Sequence, residues 1–451
     1  MIRRIFSRGA IRLVFFLALL LLVICFGNFW LVNTDSVTAK TVMEMQERTD
    51  IELAVVGSSV VRDHFNQQLI SKETGKKSFS VTIPGSGFQT FLAVTEEMYK
   101  TSTPDWVVLV VEPYNFNTAR EDPQPYYKLF PWLTGIGTRI RYYLSTSKQD
   151  GYWLDRAVIT RDFSAKTLKD LWKTIGMRLA PETTFGSLVT DIEEENAEYM
   201  GLGFLRHRSD EDLSKTIRQE MLAEKDRGYS FPLLPESKQM LEEMRSLVES
   251  HGSHFTIVIS DNHTSHALAE PEYLRYMQHL MDYCQESGIE CYNFFFAKQD
   301  FLPNLDSYFF DLYHMTGEGA DIMSHAFARL INALSSGEDV SSWFYEKDWQ
   351  YRETINWIVN TWIHPKDDGF FKAGCNTGSL VHPLYRFVML DAEKHESLLR
   401  DWDRNAKIQV SLPEGNSIRV YAKLEEYPDE EPAWFDYPDD YGYAEEHQHL
   451  Y

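Results

Sequence analysis

The stretch Ile51-Glu52-Leu53-Ala54-Val55-Val56-Gly57-Ser58-Ser59-Val60-Val61-Arg62 decides the fold. Leu53 to Val56 is an unbroken apolar run, the pattern of a parallel strand buried on both faces. Gly57 then permits a sharp turn because it carries no Cβ. Ser58 and Ser59 fall where a helix would begin. A hydroxyl there stands at the carboxyl edge of a sheet, with backbone N–H groups directed at the same spot. Such a serine either caps the helix or exposes a nucleophile.

Similar runs recur along the chain. Lys77 to Ile83 reads as a second strand and ends in Pro84-Gly85-Ser86-Gly87, whose glycines let backbone N–H groups approach a ligand. Trp106 to Val111 is the clearest buried strand, and Phe255 to Ser260 and Glu290 to Phe295 follow. Helical spacing is expected over Gln89–Tyr99, Glu236–Glu249 and Tyr273–Ser287. Strands alternating with helices predict an α/β fold whose parallel sheet has right-handed crossovers. The pattern lapses from about 121 to 235, where apolar spacing over Ala165–Leu179 and Asp210–Glu224 predicts a helical insertion. Tyr126, Tyr127, Phe130, Trp132 and Leu133 near its start read as local core.

The sheet domain is expected over 51–336, followed by a smaller tryptophan-rich region over 337–424 and an acidic tail over 425–451. In the former, Ile355, Ile358, Val359 and Trp362 share one helical face, and Ile408–Leu412 with Ile418–Tyr421 read as a hairpin. The tail has no Lys or Arg and is expected to be disordered or loosely docked.

Net charge is −23. That argues against nucleic acid, whose phosphates need clustered Lys and Arg. Arg3, Arg4, Arg8 and Arg12 precede an apolar run over 13–32, near the roughly 20 residues that span a bilayer. The arginines place 1–12 in the cytoplasm and everything after Asn33 outside it. The run is longer than a signal-peptide core, which favours an uncleaved single-pass anchor over a cleaved leader. Residues 33–50, with Ser36 to Thr49 as a short polar helix, read as a stalk. Of the four cysteines, Cys284, Cys291 and Cys375 follow the anchor, so at most one internal disulfide is expected. Cys284–Cys291 is one possibility.

A serine hydroxyl is a weak nucleophile near neutral pH and needs a base, which in turn needs an orienter. Asp311-Leu312-Tyr313-His314 supplies both in one loop, between the last strand and a helix over Gly317–Leu334 that Thr316 would cap. His314 would take the Ser59 proton and Asp311 would fix the imidazole. Asp261, His263 and His266 follow the fourth strand. Two histidines fall short of a metal site, so no metal or other cofactor is expected, and His263 is assigned to substrate hydrogen bonding.

With a serine after the first strand and Asp-x-x-His before the last helix, the chain resembles the SGNH (GDSL-like) hydrolase superfamily over 51–334. The resemblance implies a flavodoxin-like three-layer fold in which Ser59 is the nucleophile, and Ser58 replaces the usual Asp. It implies oxyanion donors at Gly85 or Gly87, and at Asn115 within Glu112-Pro113-Tyr114-Asn115, which departs from the family's Gly-x-Asn-Asp block. The single anchor is similar to the branch containing the teichoic-acid D-alanylation protein D and the alginate acetylation proteins. What that implies is acyl transfer or ester cleavage, with acetyl as the acyl group, on an extracellular polysaccharide or cell-wall polymer. It also implies a multispanning membrane-bound O-acyltransferase as partner. The rival expectation is a non-catalytic accessory that positions a polymer or supports such a partner.

Overall fold

The computed structural model describes residues 2–30, 37–112, 114–117, 123–150, 193–194, 197–208, 233–269, 271–366 and 369–437. Helices α1 (Ile2–Trp30) and α2 (Val37–Glu47) precede strand β1 (Leu53–Gly57). Short helices α3 (Ser59–His64) and α4 (Gln67–Thr74) lead to β2 (Ser78–Thr82), and α5 (Phe88–Met98) leads to β3 (Trp106–Val111). Then come α6 (Tyr114–Asn117), α7 (Pro123–Leu129) and α8 (Ile136–Asp150). A small separate sheet holds β4 (Glu193–Glu194), β5 (Ala197–Gly201) and β6 (Phe204–His207). The α/β pattern resumes with α9 (Pro235–Ser250), β7 (His254–Ile259), α10 (Thr264–Ala269), α11 (Pro271–Glu286) and β8 (Glu290–Asn293). Helices α12 (Gly317–Ser335) and α13 (Asp348–Thr354) complete the helical part.

Five strands form one parallel sheet in the order β2-β1-β3-β7-β8. All five expected strands are present, each within a residue or two of its expected limits. The exception is the end of β8, where Phe294–Phe296 forms a 3-10 turn. Every residue of β1, β2 and β3 is buried, which explains the continuous apolar runs of β1 and β3, while β2 buries Ser78, Ser80 and Thr82 beside Phe79 and Val81. At the edge, β8 is half exposed, and its sequence Glu-Cys-Tyr-Asn is correspondingly polar.

By contact density the chain divides into two compact units. The first comprises 1–110, 118–206 and 235–256. Here α5 packs against α8 and α9, and α2 lies on β2 and α5. Rather than a free polar stalk, α2 buries Val37, Ala39, Val42 and Met45. Gln46 of α2 donates from Nε2 to Glu97 Oε1 at 3.0 Å and to the Trp132 carbonyl at 2.7 Å. The aromatic segment is local core: Tyr126 and Leu133 are buried, and the Tyr126 ring stacks on Phe130 at 4.9 Å. The predicted helices at Ala165–Leu179 and Asp210–Glu224 lie outside the described residues. On α1, side chains are described at 9–24, and the large apolar ones from Ile11 to Val23 are exposed, Phe15 at 75%. Among the described residues no helix is long and apolar enough to cross a membrane.

The second unit comprises 111–117, 207–234 and 257–451. Its C-terminal half is a β module that the sequence reading largely missed. Strands β9 (Asn360–Pro365), β10 (Phe370–Asn376), β11 (Pro383–Leu390), β12 (Glu396–Asp403), β13 (Lys407–Gln409), β14 (Ser417–Leu424) and β15 (Ala433–Tyr437) form two sheets, ordered β13-β10-β9 and β12-β11-β14-β15. Three expectations are corrected here. Residues 355–362 are not a helix: α13 ends at Thr354 and Trp362 lies in β9. The β-branched run Ile355, Ile358, Val359, Thr361 and Ile363 favours the pleated surface instead. The expected hairpin has its turn at Pro413–Asn416, but β13 pairs with β10 while β14 pairs with β11 and β15. The tail is ordered as far as Tyr437, because β15 buries Phe435 and Arg419 of β14 grips Asp436 at 2.7 and 2.8 Å. Residues 438–451 lie outside the described residues.

Candidate active site

In the first unit, β1 pairs with β2 on one side and β3 on the other, all parallel. The strand order therefore reverses at β1, and ligands of open α/β sheets bind outside the carboxyl ends at such a switch point. Ser59 is the first residue of α3, directly after β1. Gly57 is required for a close approach: a Cβ there would lie 2.5 Å from Val61 Cγ2 and 2.9 Å from the Val110 carbonyl oxygen. Ser58 holds the N-cap position, yet its side chain makes no capping bond. Its carbonyl accepts from the Thr82 hydroxyl at 2.5 Å and the Val61 N–H at 3.1 Å, which fixes the turn carrying Ser59.

Sequence reasoning passed over the rest of α3. Arg62 is three residues beyond Ser59, on the same helical face. It makes a two-pronged contact with the buried Asp63, Nε to Oδ1 at 2.7 Å and Nη2 to Oδ2 at 3.0 Å. The following His64 is also buried. The only available signal was three titratable residues in a row within one turn of a candidate nucleophile.

Of the expected oxyanion glycines, Gly85 adopts φ +74°, a conformation that needs glycine. Gly87 is the extended N-cap of α5. In the second unit, Asn115 is buried and its Oδ1 accepts from the Glu112 N–H at 2.8 Å, so only its amide nitrogen has a donor role to offer.

Asp311 and His314, also in the second unit, are brought together. Asp311 Oδ2 lies 2.7 Å from His314 Nδ1. Its Oδ1 accepts the Tyr313 and His314 backbone N–H groups, both at 2.7 Å. The loop is closed by a bridge between Phe309 and Met315 and by the Phe310 N–H on the His314 carbonyl at 3.0 Å. Thr316 caps α12 as expected, its hydroxyl accepting from the Gly319 N–H at 3.4 Å. Burial pushes the Asp311 carboxyl up, but the His314 charge and three hydrogen bonds outweigh it and hold it below the usual carboxylate range. An ionised carboxylate accepts only, so Nδ1 carries the proton of that bond and Nε2 is the ring nitrogen left to exchange a proton.

Leu312, between the pair, is fully buried in the core of the C-terminal β module, with Ile363, Phe371, Phe387 and Val420. Tyr313 packs on the same cluster. The module thus holds the Asp-x-x-His loop from beneath, a role no sequence motif announces. The loop is also tied to the carboxyl end of β7, where the His263 N–H meets the Leu312 carbonyl at 3.3 Å.

His263 is buried, and its Nδ1 lies 3.8 Å from Asp306 Oδ1. Desolvation pulls its pKa down, against the opposing charges of Asp306 and Asp311, so the ring is held neutral. Cys284, Cys291 and Cys375 are thiols. Cys291 contacts Cys284, and that contact, together with burial, drives its pKa well up.

No family model and no curated protein matches the chain.

Proposed function

We propose that the chain is a serine-dependent O-acyltransferase or esterase of SGNH type, with Ser59 as nucleophile, His314 as base and Asp311 as its orienter. The observation that carries this reading is the Asp311–His314 pair, with carboxylate and Nδ1 2.7 Å apart. A carboxylate on Nδ1 fixes the tautomer whose Nε2 can accept a hydroxyl proton. The strand order, corresponding to 2-1-3-4-5, is the flavodoxin-like order and supports that fold type. Ser59 at the β1 switch point stands where that fold binds ligands.

In the proposed reaction Ser59 Oγ attacks the acyl carbonyl while its proton passes to His314. Backbone N–H groups near Gly85 or Gly87, with the Asn115 amide, hold the oxyanion. The tetrahedral adduct collapses, the C–O bond to the donor alcohol breaks, and His314 returns the proton to that leaving oxygen. The acyl group then moves from Ser59 to water or to a polymer hydroxyl by the same steps in reverse.

Arg3, Arg4, Arg8 and Arg12 in the first half of α1, and the exposed apolar side chains that follow them, support a single-pass anchor with the bulk of the chain outside the cytoplasm. An acetylated extracellular polysaccharide or cell-wall polymer, and a membrane-bound O-acyltransferase that supplies the acyl group, complete the proposal. It is tested by replacing the chromosomal copy with Ser59→Ala and measuring alkali-labile acyl groups on the surface polymer. Loss of these groups at unchanged protein level is expected. Full acylation would leave the accessory role instead.

A further inference from the structure

A cavity lies wholly within the second unit, past the carboxyl ends of β7 and β8, and neither Asp311 nor His314 lines it. Its volume is about 480 Å³. The wall holds Asp261 and Asp306 beside the rings of Tyr345, Tyr351 and Trp357. Asp306 is anchored by the Thr264 N–H on Oδ1 at 2.7 Å, and the His263 Nδ1 lies 3.8 Å from the same oxygen. Among the described residues neither Asp261 nor Asp306 pairs with a Lys or Arg. The one cation on the wall, Lys298, is spoken for: its Nζ donates to the Ser342 carbonyl at 2.9 Å and lies over the Tyr345 ring at 5.5 Å. Burial and the charge of Asp306 raise the Asp261 carboxyl well above its ordinary value, which favours its uncharged form until a cation enters beside it.

Two carboxyls without a cationic partner beside three electron-rich rings are complementary to one chemical class. We propose that this cavity binds a small organic ammonium ion, its charge on Asp261 and Asp306 and its methyl or methylene groups against Tyr345, Tyr351 and Trp357. Aromatic faces attract such cations through the ring quadrupole, and the carboxylates gain the missing counter-charge. A metal ion fits less well. Among the described residues, the one group of three or more carboxylate, imidazole or thiol donors close enough to share an ion is Asp391, Glu393 and His395, outside this cavity. The proposal does not rest on the serine chemistry.

The test uses choline and its uncharged isostere 3,3-dimethylbutan-1-ol, titrated separately against the purified full chain in detergent by saturation-transfer NMR. Choline should bind at least about tenfold more tightly than the isostere, a difference of about 1.4 kcal/mol. Asp261→Asn and Asp306→Asn keep the shape of each side chain and should each weaken choline at least about tenfold, with an unchanged circular dichroism spectrum. Trp357→Leu should weaken it without touching a carboxylate. Equal binding of the two probes, no choline binding by the folded protein, or calcium occupying the Asp261–Asp306 pair while choline does not bind would each overturn the proposal.

Discussion

Replacing Asp311 by Asn removes one charge and one acceptor from the loop that carries His314. The asparagine carbonyl can still take the two backbone N–H groups that Oδ1 receives at 2.7 Å. The amide nitrogen, however, faces His314 Nδ1, where two donors meet unless the imidazole changes tautomer. The loss is therefore that of one hydrogen bond to a charged group, roughly 1.5–3 kcal/mol. Urea unfolding of the full chain in detergent, followed by tryptophan fluorescence, reads it out. The pH dependence has a definite sign. The folded Asp311 pKa is depressed, so its stabilisation is fully present above the ordinary carboxylate value of about 3.9. It is lost as pH falls through the lower folded value. Asparagine does not titrate, so the gap between wild type and Asp311→Asn should shrink as pH falls below about 4. Equal stability at pH 7, or a gap that persists unchanged into strong acid, would refute the account of this loop.

Gly57→Ala drives a Cβ onto Val61 Cγ2 and the Val110 carbonyl. Overpacking of this kind should cost about 1–3 kcal/mol, read as a lower urea midpoint, and should displace the turn bearing Ser59. Phe387→Ala opens the fully buried core beneath Leu312 and should cost about 3–5 kcal/mol. Amide hydrogen exchange should show faster exchange at Tyr313 and His314 as well as in β11. Exchange confined to β11 would separate the module from the loop. Acidification below about pH 6.5 should erode stability through His263, whose folded pKa is depressed, and His263→Gln should flatten that part of the pH profile.

The sheet was legible because buried parallel strands leave a strong local mark. Val-Val-Leu-Val-Val after Trp106 admits few other readings, and Thr316 before a periodic apolar helix announced its own cap. The C-terminal module was obscure for the opposite reason. Its strands alternate buried and half-exposed residues, as in Ser417–Leu424, and their partners are distant in sequence: β14 pairs with β11 and β15, not with its neighbour β13. A turn sequence such as Pro-Glu-Gly-Asn marks a reversal without saying which sheet the next strand joins. The helical reading of Ile355 to Trp362 failed because spacing of three and four residues in a short run also fits a turn entering a strand. At the candidate site, Asp-x-x-His was visible as a motif because all its members lie in one loop. The support of Leu312 by Phe371 and Phe387, and the Arg62–Asp63 contact beside Ser59, depend on packing and geometry that spacing does not encode.

The claim that Ser59 is a nucleophile activated by His314 is tested most directly by labelling the purified full chain with a fluorophosphonate and mapping the adduct by mass spectrometry. The account predicts one adduct, on the peptide containing Ser59, absent in Ser59→Ala and formed at least about 10²-fold more slowly in His314→Ala. A folded protein that takes no label, or one labelled equally well after Ser59→Ala, would contradict it.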